Sequence, residues 1–190
     1  MASHLYDPLV DYDANLGKKP GLAESWTVLD DGVTWEFKLR QGVKFSNGND
    51  FNADDVVFTF DRMFNKENAF RKAFPSEFPY AVDTGMTENV AKVEKVDDYT
   101  VKFTLTKPDP DLIIKIAMPS FSVHSAEYAD KLVKDGKANM INQEPVGTGP
   151  FVLERYQKDA QIRYTANKNY WKTGYPKVDN LIFAITTDAA

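Results

Sequence analysis

Residues 26–40 run Trp26-Thr27-Val28-Leu29-Asp30-Asp31-Gly32-Val33-Thr34-Trp35-Glu36-Phe37-Lys38-Leu39-Arg40. Val33, Trp35, Phe37 and Leu39 alternate with Thr34, Glu36, Lys38 and Arg40, the period of two of a strand with one dry face. Residues 26–29 supply a second strand. Asp31-Gly32 between the two can take the positive φ that a tight hairpin turn requires. The segment is therefore an antiparallel hairpin with one apolar and one polar face.

The same grammar recurs downstream. Residues 90–96 and 100–105 flank Asp97-Asp98-Tyr99, and residues 151–156 and 161–164 flank a polar Lys158-Asp159 turn. The run Asn180-Leu181-Ile182-Phe183-Ala184-Ile185 is richer in apolar residues and predicts a last strand buried on both faces. The hairpins differ in length and turn sequence, so they are not copies of one repeat. Helices are fewer. Asn52 caps a predicted helix over 53–65, with Asp54 and Asp55 at the positive end of its dipole and Val56, Val57, Phe60 and Phe64 as its apolar stripe. A second helix is predicted over 109–117 with Pro110 in its first turn, and a third from the cap Ser125 to Gly136. Residues 66–88 and 137–150 read as loops. Hairpins with isolated helices, rather than repeated βαβ units, predict an α+β architecture.

Composition narrows the function. At 190 residues, with 43% hydrophobic and 13% aromatic residues, the chain can bury a true core. A net charge of −5 without like-charge runs argues against a nucleic-acid groove, which needs a basic stripe. The densest apolar stretch, Leu112-Ile113-Ile114, is interrupted by Lys115 and is far short of a membrane span. The absence of cysteine excludes disulfides, thiol nucleophiles and zinc–thiolate sites. Met1-Ala2-Ser3-His4 leads straight into Leu5-Tyr6-Asp7-Pro8 without a basic start or apolar core, so no signal peptide is read.

Catalytic readings fail one by one. His4 and His124 are the two histidines; Ser122 and Ser125 lie too close in sequence to His124 to build a triad, and neither sits in a nucleophile elbow. The oxygen-rich run Asn47, Asn49, Asp50, Asn52, Asp54, Asp55 lacks the EF-hand order and reads as a turn before a capped helix, so no metal is expected. Gly147-Thr148-Gly149-Pro150 lacks the lysine and hydroxyl of a phosphate loop, and Pro150 removes an amide donor. The paired carboxylates at 30–31, 54–55 and 97–98 sit in turns or at a helix start. No enzyme and no cofactor is expected. Recognition remains: Phe70, Phe74, Phe78 and Tyr80, stiffened by Pro75 and Pro79, either cover the core or line a cleft for a ligand.

An ordered set of motifs then carries a resemblance. Pro20-Gly21-Leu22-Ala23-Glu24-Ser25-Trp26, Asp30-Asp31-Gly32, Phe37-Lys38-Leu39-Arg40, Gly42-Val43-Lys44-Phe45, Ala53-Asp54-Asp55-Val56-Val57-Phe58, Val96-Asp97-Asp98, Pro145-Val146-Gly147-Thr148-Gly149-Pro150-Phe151 and Asn169-Tyr170-Trp171 follow in order. Together they resemble the bacterial extracellular solute-binding proteins of peptide and nickel ABC importers, family 5. Ser125-Ala126-Glu127-Tyr128-Ala129 and Arg155-Tyr156-Gln157-Lys158-Asp159 bring the chain nearest to the dipeptide-, haem- and glutathione-binding branch.

The resemblance implies a two-lobed clamshell of the type II periplasmic-binding-protein kind, closing on its ligand without chemistry. It implies that this chain is part of lobe one: residues 1–146 as the outer α+β subdomain, residues 147–190 as the beginning of the inner one, with the second lobe and the signal sequence outside it. Expected partners are a short peptide or peptide-like ligand and ABC permease subunits in the membrane, with no nucleic acid; the protein is expected to be a periplasmic or lipid-anchored monomer. A ligand-facing aromatic of the family falls at Phe70, and a cleft-lining stretch at Met118-Pro119-Ser120-Phe121-Ser122. Phe70 offers packing without a hydroxyl, Met118 adaptable packing, and Ser120 or Ser122 a donor and acceptor. That stretch can equally be a core strand. The ligand-binding candidates are thus Phe70, Tyr80, Met118, Ser120, Phe121 and Ser122.

Overall fold

The hairpin at 26–40 forms as its alternation requires. In a computed structural model of the chain, which describes residues 2–185, its strands are β3 (Ala23–Val28) and β4 (Thr34–Leu39), with Trp26 opposite Phe37 and Val28 opposite Trp35. Gly32 takes φ 70°, and the Asp31 carboxylate accepts bonds from the amides of Val33 and Thr34 and from the Thr34 hydroxyl. Ahead of it lie α1 (Ala2–Leu5) and a small hairpin of β1 (Val10–Tyr12) and β2 (Lys18–Pro20), which the sequence pattern does not reveal. After it come α2 (Ala53–Phe64), the short helices α3 (Ala69–Ala73), α4 (Pro79–Asp83) and α5 (Met86–Asn89), then β5 (Val90–Asp97) and β6 (Thr100–Leu105). Next come α6 (Leu112–Ile116), α7 (Ala126–Lys134), β7 (Phe151–Gln157), β8 (Gln161–Ala166) and β9 (Asn180–Ala184), with 3-10 turns at Pro119–Phe121 and Ala138–Asn142.

The main core lies on one face of an antiparallel sheet ordered β3-β4-β6-β5. Trp35, Phe37 and Leu39 of β4 and Val101, Phe103 and Leu105 of β6 point into it, and α2 covers them with Val56, Phe60 and Met63. Phe103 meets Phe60 and Phe37 edge-on at 4.8 and 5.2 Å, the geometry aromatic quadrupoles favour. Asn52 begins α2 as its sequence predicts: its side chain accepts from Asp54 N, and Asp55 accepts from Asn52 N, a reciprocal capping box. Ser125 caps α7 through Tyr128 N.

A second sheet, β7-β8-β9, stands apart and packs Ile162 and Tyr164 against Leu5 and Tyr6 of the N-terminal segment. Three expectations need correction. Residues 66–88 are not an open loop but three short helices, held by local caps such as Asn68 over Arg71 N. The second helix starts at Leu112, not 109, because Pro110 lies in the turn ahead of the cap position Asp111. And β9 is not buried on both faces: it pairs with β8 alone, leaving Ile182 and Phe183 exposed among the described residues. The end of the expected second unit, residues 186–190, lies outside the described residues.

Candidate functional site

Residues 5–7 form a strap that ties the second sheet and residues 148–149 to the segment at Val123. Gly149 N donates to Leu5 O at 3.0 Å, and Val123 N donates to Asp7 O at 3.1 Å. The buried Asp7 carboxylate accepts from Trp171 Nε1 at 2.9 Å and Thr148 Oγ1 at 3.0 Å. Burial raises its pKa above the ordinary carboxylate range; the Trp171 bond, Lys172 and the Thr148 bond pull the other way. A Cβ at Gly147 would sit 1.9 Å from Leu5 O, so only glycine lets the strap approach. The Gly147–Pro150 motif is thus a joint in the scaffold.

Beside the strap opens a cleft of about 1050 Å³. Its floor is the strap's Leu5 and Tyr6 with Ile162 and Tyr164; its walls are the end of α2 (Arg62, Met63), residues 74–78, the segment carrying Ser120, Ser122 and His124, and Asn142 and Gln143.

A polar seam along α2 leads up to the cleft wall and reaches it at Arg62. Asp55, Thr59 and Arg62 are spaced i, i+4 and i+7, so they share one helix face, and all three are buried. Asp55 accepts from Ala126 N at 2.8 Å, and Thr59 Oγ1 accepts from His124 N at 2.9 Å. The first two rungs therefore hold the 122–126 segment against the helix. Burial pushes the Asp55 carboxyl up to about 6 despite the two amides it binds.

The third rung differs. Arg62 is 7% exposed, and its Nε is buried without a hydrogen-bond partner among the described residues. Burial lowers its pKa to about 10, which leaves it a cation at neutral pH. Ser122 Oγ and His124 Nδ1 are likewise buried without partners. The His124 ring packs on Tyr6 at 4.4 Å, and burial together with the Arg62 charge holds its pKa well below the usual histidine range. The imidazole is therefore neutral at pH 7. Six buried side-chain polar atoms lack a partner among the described residues, and four of them, on Arg62, Ser122, His124 and Tyr164, belong to cleft-lining residues. Buried polar groups are otherwise almost always paired, so four such atoms on the residues of one cleft are an unusual concentration.

The sequence-derived candidates divide. Ser120 and Ser122 line the cleft. Tyr80, exposed, and Phe121, buried, border a smaller adjoining hollow of about 200 Å³ that Ser120 also touches. Met118 is half-buried against the main core. Phe70 is buried in a satellite cluster with Leu132 and Ile141, edge-on to Phe58 at 5.8 Å. Sequence reasoning missed Arg62 and Tyr6. The signal for Arg62 was present as the polar seam inside an apolar helix face. Among the described residues no group of three or more His, Cys, Asp and Glu is placed to hold a metal ion, and no helix is long and apolar enough to cross a membrane.

With this geometry in view, comparison with known proteins assigns the class. Residues 18–190 match the model of the bacterial extracellular solute-binding proteins, family 5 Middle, and the chain belongs to that family. It is 59% identical over 177 residues, 90% of its length, to di/tripeptide-binding protein 1 of Pseudomonas aeruginosa (strain UCBPP-PA14). It is 40% identical over 195 residues, 99% of its length, to heme-binding protein A of Haemophilus influenzae. These matches cover 33% and 36% of the two relatives, so the chain spans about a third of the curated relatives it matches. It superposes with a TM-score of 0.92 and 33% identity on the dipeptide-binding protein of Pseudoalteromonas sp. SM9913 in complex with Met-Leu, covering 99% of this chain and 38% of that one. The antiparallel sheets and few helices are those of a periplasmic-binding-protein lobe. The family is one of binding proteins, extracellular by its description.

Proposed function

We propose that this chain is the first-lobe portion of the substrate-binding component of an ABC importer for short peptides. In this reading residues 1–146 form the outer subdomain and residues 147–190 begin the inner one. A second lobe closes over the cleft, and the loaded protein docks on permease subunits as a periplasmic or lipid-anchored monomer. No chemistry is done on the solute. The observation that carries the reading is a cleft walled by unpaired polar groups on a chain 59% identical to a di/tripeptide-binding protein. Apolar floor residues with a few convergent polar groups suit ligands that share a backbone but vary in side chain. The Ser120–Ser122 stretch then offers hydroxyls to the ligand, and Tyr80, Met118, Phe121 and Phe70 act as flanking or supporting groups.

The test is a thermal-shift screen of the full-length protein that carries this lobe. Dipeptides and tripeptides are expected to raise its melting temperature; no shift with either would refute the peptide assignment. Haem is the second solute to screen, because heme-binding protein A is 40% identical to the chain. A shift with haem alone would move the assignment there.

A further inference from the structure

We infer that the Arg62 end of the cleft is a carboxylate-binding subsite, in which Arg62, Ser122 and His124 together take one carboxylate of the bound solute. The inference rests on the short-peptide reading only for the identity of that solute. Asp55 and Thr59 spend oxygens on the backbone of residues 126 and 124, whereas Nε of Arg62, the next rung, has no partner among the described residues. Its guanidinium lies 5.4–5.7 Å from the rings of Phe58, Phe70 and Phe78. Those contacts use ring faces and leave the N–H fork unspent.

Among the described residues Glu77 is the one acidic side chain lining the cleft, and it is exposed; the neighbouring Tyr6 phenol is kept neutral by burial and supplies no counter-charge. A buried cation without a counter-ion is costly, and a carboxylate matches the planar guanidinium fork two bonds at a time. An ammonium group would be repelled from the same place. Ser122 Oγ and His124 Nδ1 stand unpartnered on the facing segment, and a hydroxyl and a neutral imidazole can each donate one bond. A carboxylate has lone pairs for all of them.

The carboxylate can come from the peptide C-terminus or from an acidic side chain, and the experiment separates the two. First, propionate and propionamide are titrated into the 190-residue chain at constant ionic strength, following the Arg62 Nε–H and His124 ring resonances. Saturable shifts with propionate, absent with propionamide and absent at His124 in Arg62→Met, are expected. Ser122→Ala, a smaller change, should weaken propionate several-fold with the amide spectrum unchanged. Shifts that fail to saturate, or that are the same for propionamide, overturn the proposal. Second, the full-length protein is titrated with Ala-Ala against its C-terminal amide, and with Ala-Glu against Ala-Gln. One pair should differ by about tenfold or more, and that difference should vanish in Arg62→Met. Discrimination that survives Arg62→Met overturns the subsite. If propionate shifts Arg62 but no peptide binds, the carboxylate site stands and the peptide reading falls.

Discussion

The β3-β4-β6-β5 core and the cleft wall are built on the same helix and obey opposite rules. On one side of α2, Val56, Phe60 and Met63 close a dry core whose aromatic rings meet edge-on. On the adjacent face, the Asp55–Thr59–Arg62 seam begins as scaffold and ends at a buried guanidinium whose Nε has no partner among the described residues. The lesson is that one amphipathic helix can serve stability and recognition at once, because i, i+4 and i+7 positions form a separate track from its apolar stripe. Substitutions on the two tracks should therefore differ in what they cost.

The largest effect is expected in the core. Phe103→Ala removes a fully buried ring that touches Phe60 and Phe37, and should lower the unfolding free energy by about 3–5 kcal/mol in urea titration. A loss under 1 kcal/mol would mean that the sheet face is not the main core. At the scaffold joint, Gly147→Ala should cost about 2–3 kcal/mol, because its Cβ would overlap Leu5 O and the strap must move. Gly32→Ala, with a left-handed φ but open space around it, should cost only about 1 kcal/mol.

On the seam, the effect depends on pH. Asp55 has a folded pKa of about 6, above its ordinary value of 3.8, so the native state holds its proton more tightly than the unfolded chain does. Its contribution to stability is full below about pH 4 and lost as pH rises through about 6. The difference in unfolding free energy between wild type and Asp55→Asn should therefore change across that window and be flat above pH 7. A flat difference from pH 4 to 7 would contradict the burial assigned to this carboxylate. At the cleft floor, Tyr164→Phe should hold or raise the unfolding free energy, by up to about 1 kcal/mol, since the buried hydroxyl it deletes has no partner among the described residues.

How much of this was legible follows the range of the forces involved. Local rules placed the hairpins, the Asn52 and Ser125 caps and the glycine turn at Gly32, because alternation, capping and positive φ are written within a few residues. They failed for α3, α4 and α5, each of five residues or fewer, where propensity is weak and neighbouring segments decide. They failed also for β9, whose apolar composition says nothing about how many partners a strand has. Of the site, Ser120 and Ser122 could be reached through family resemblance, while Phe70 turns inward to a satellite cluster. Arg62 carried a readable signal, a cation on the buried track of a helix. That it has no counter-ion among the described residues is a fact of three-dimensional packing.

Arg62 is kept either for the fold or for a solute. Urea denaturation of Arg62→Met in the ligand-free chain decides between them. Methionine fills similar space without a buried charge, so the unfolding free energy should stay within about 1 kcal/mol of wild type or rise. A loss of more than about 2 kcal/mol would show that Arg62 is a structural keystone and that the wall is not reserved for a ligand.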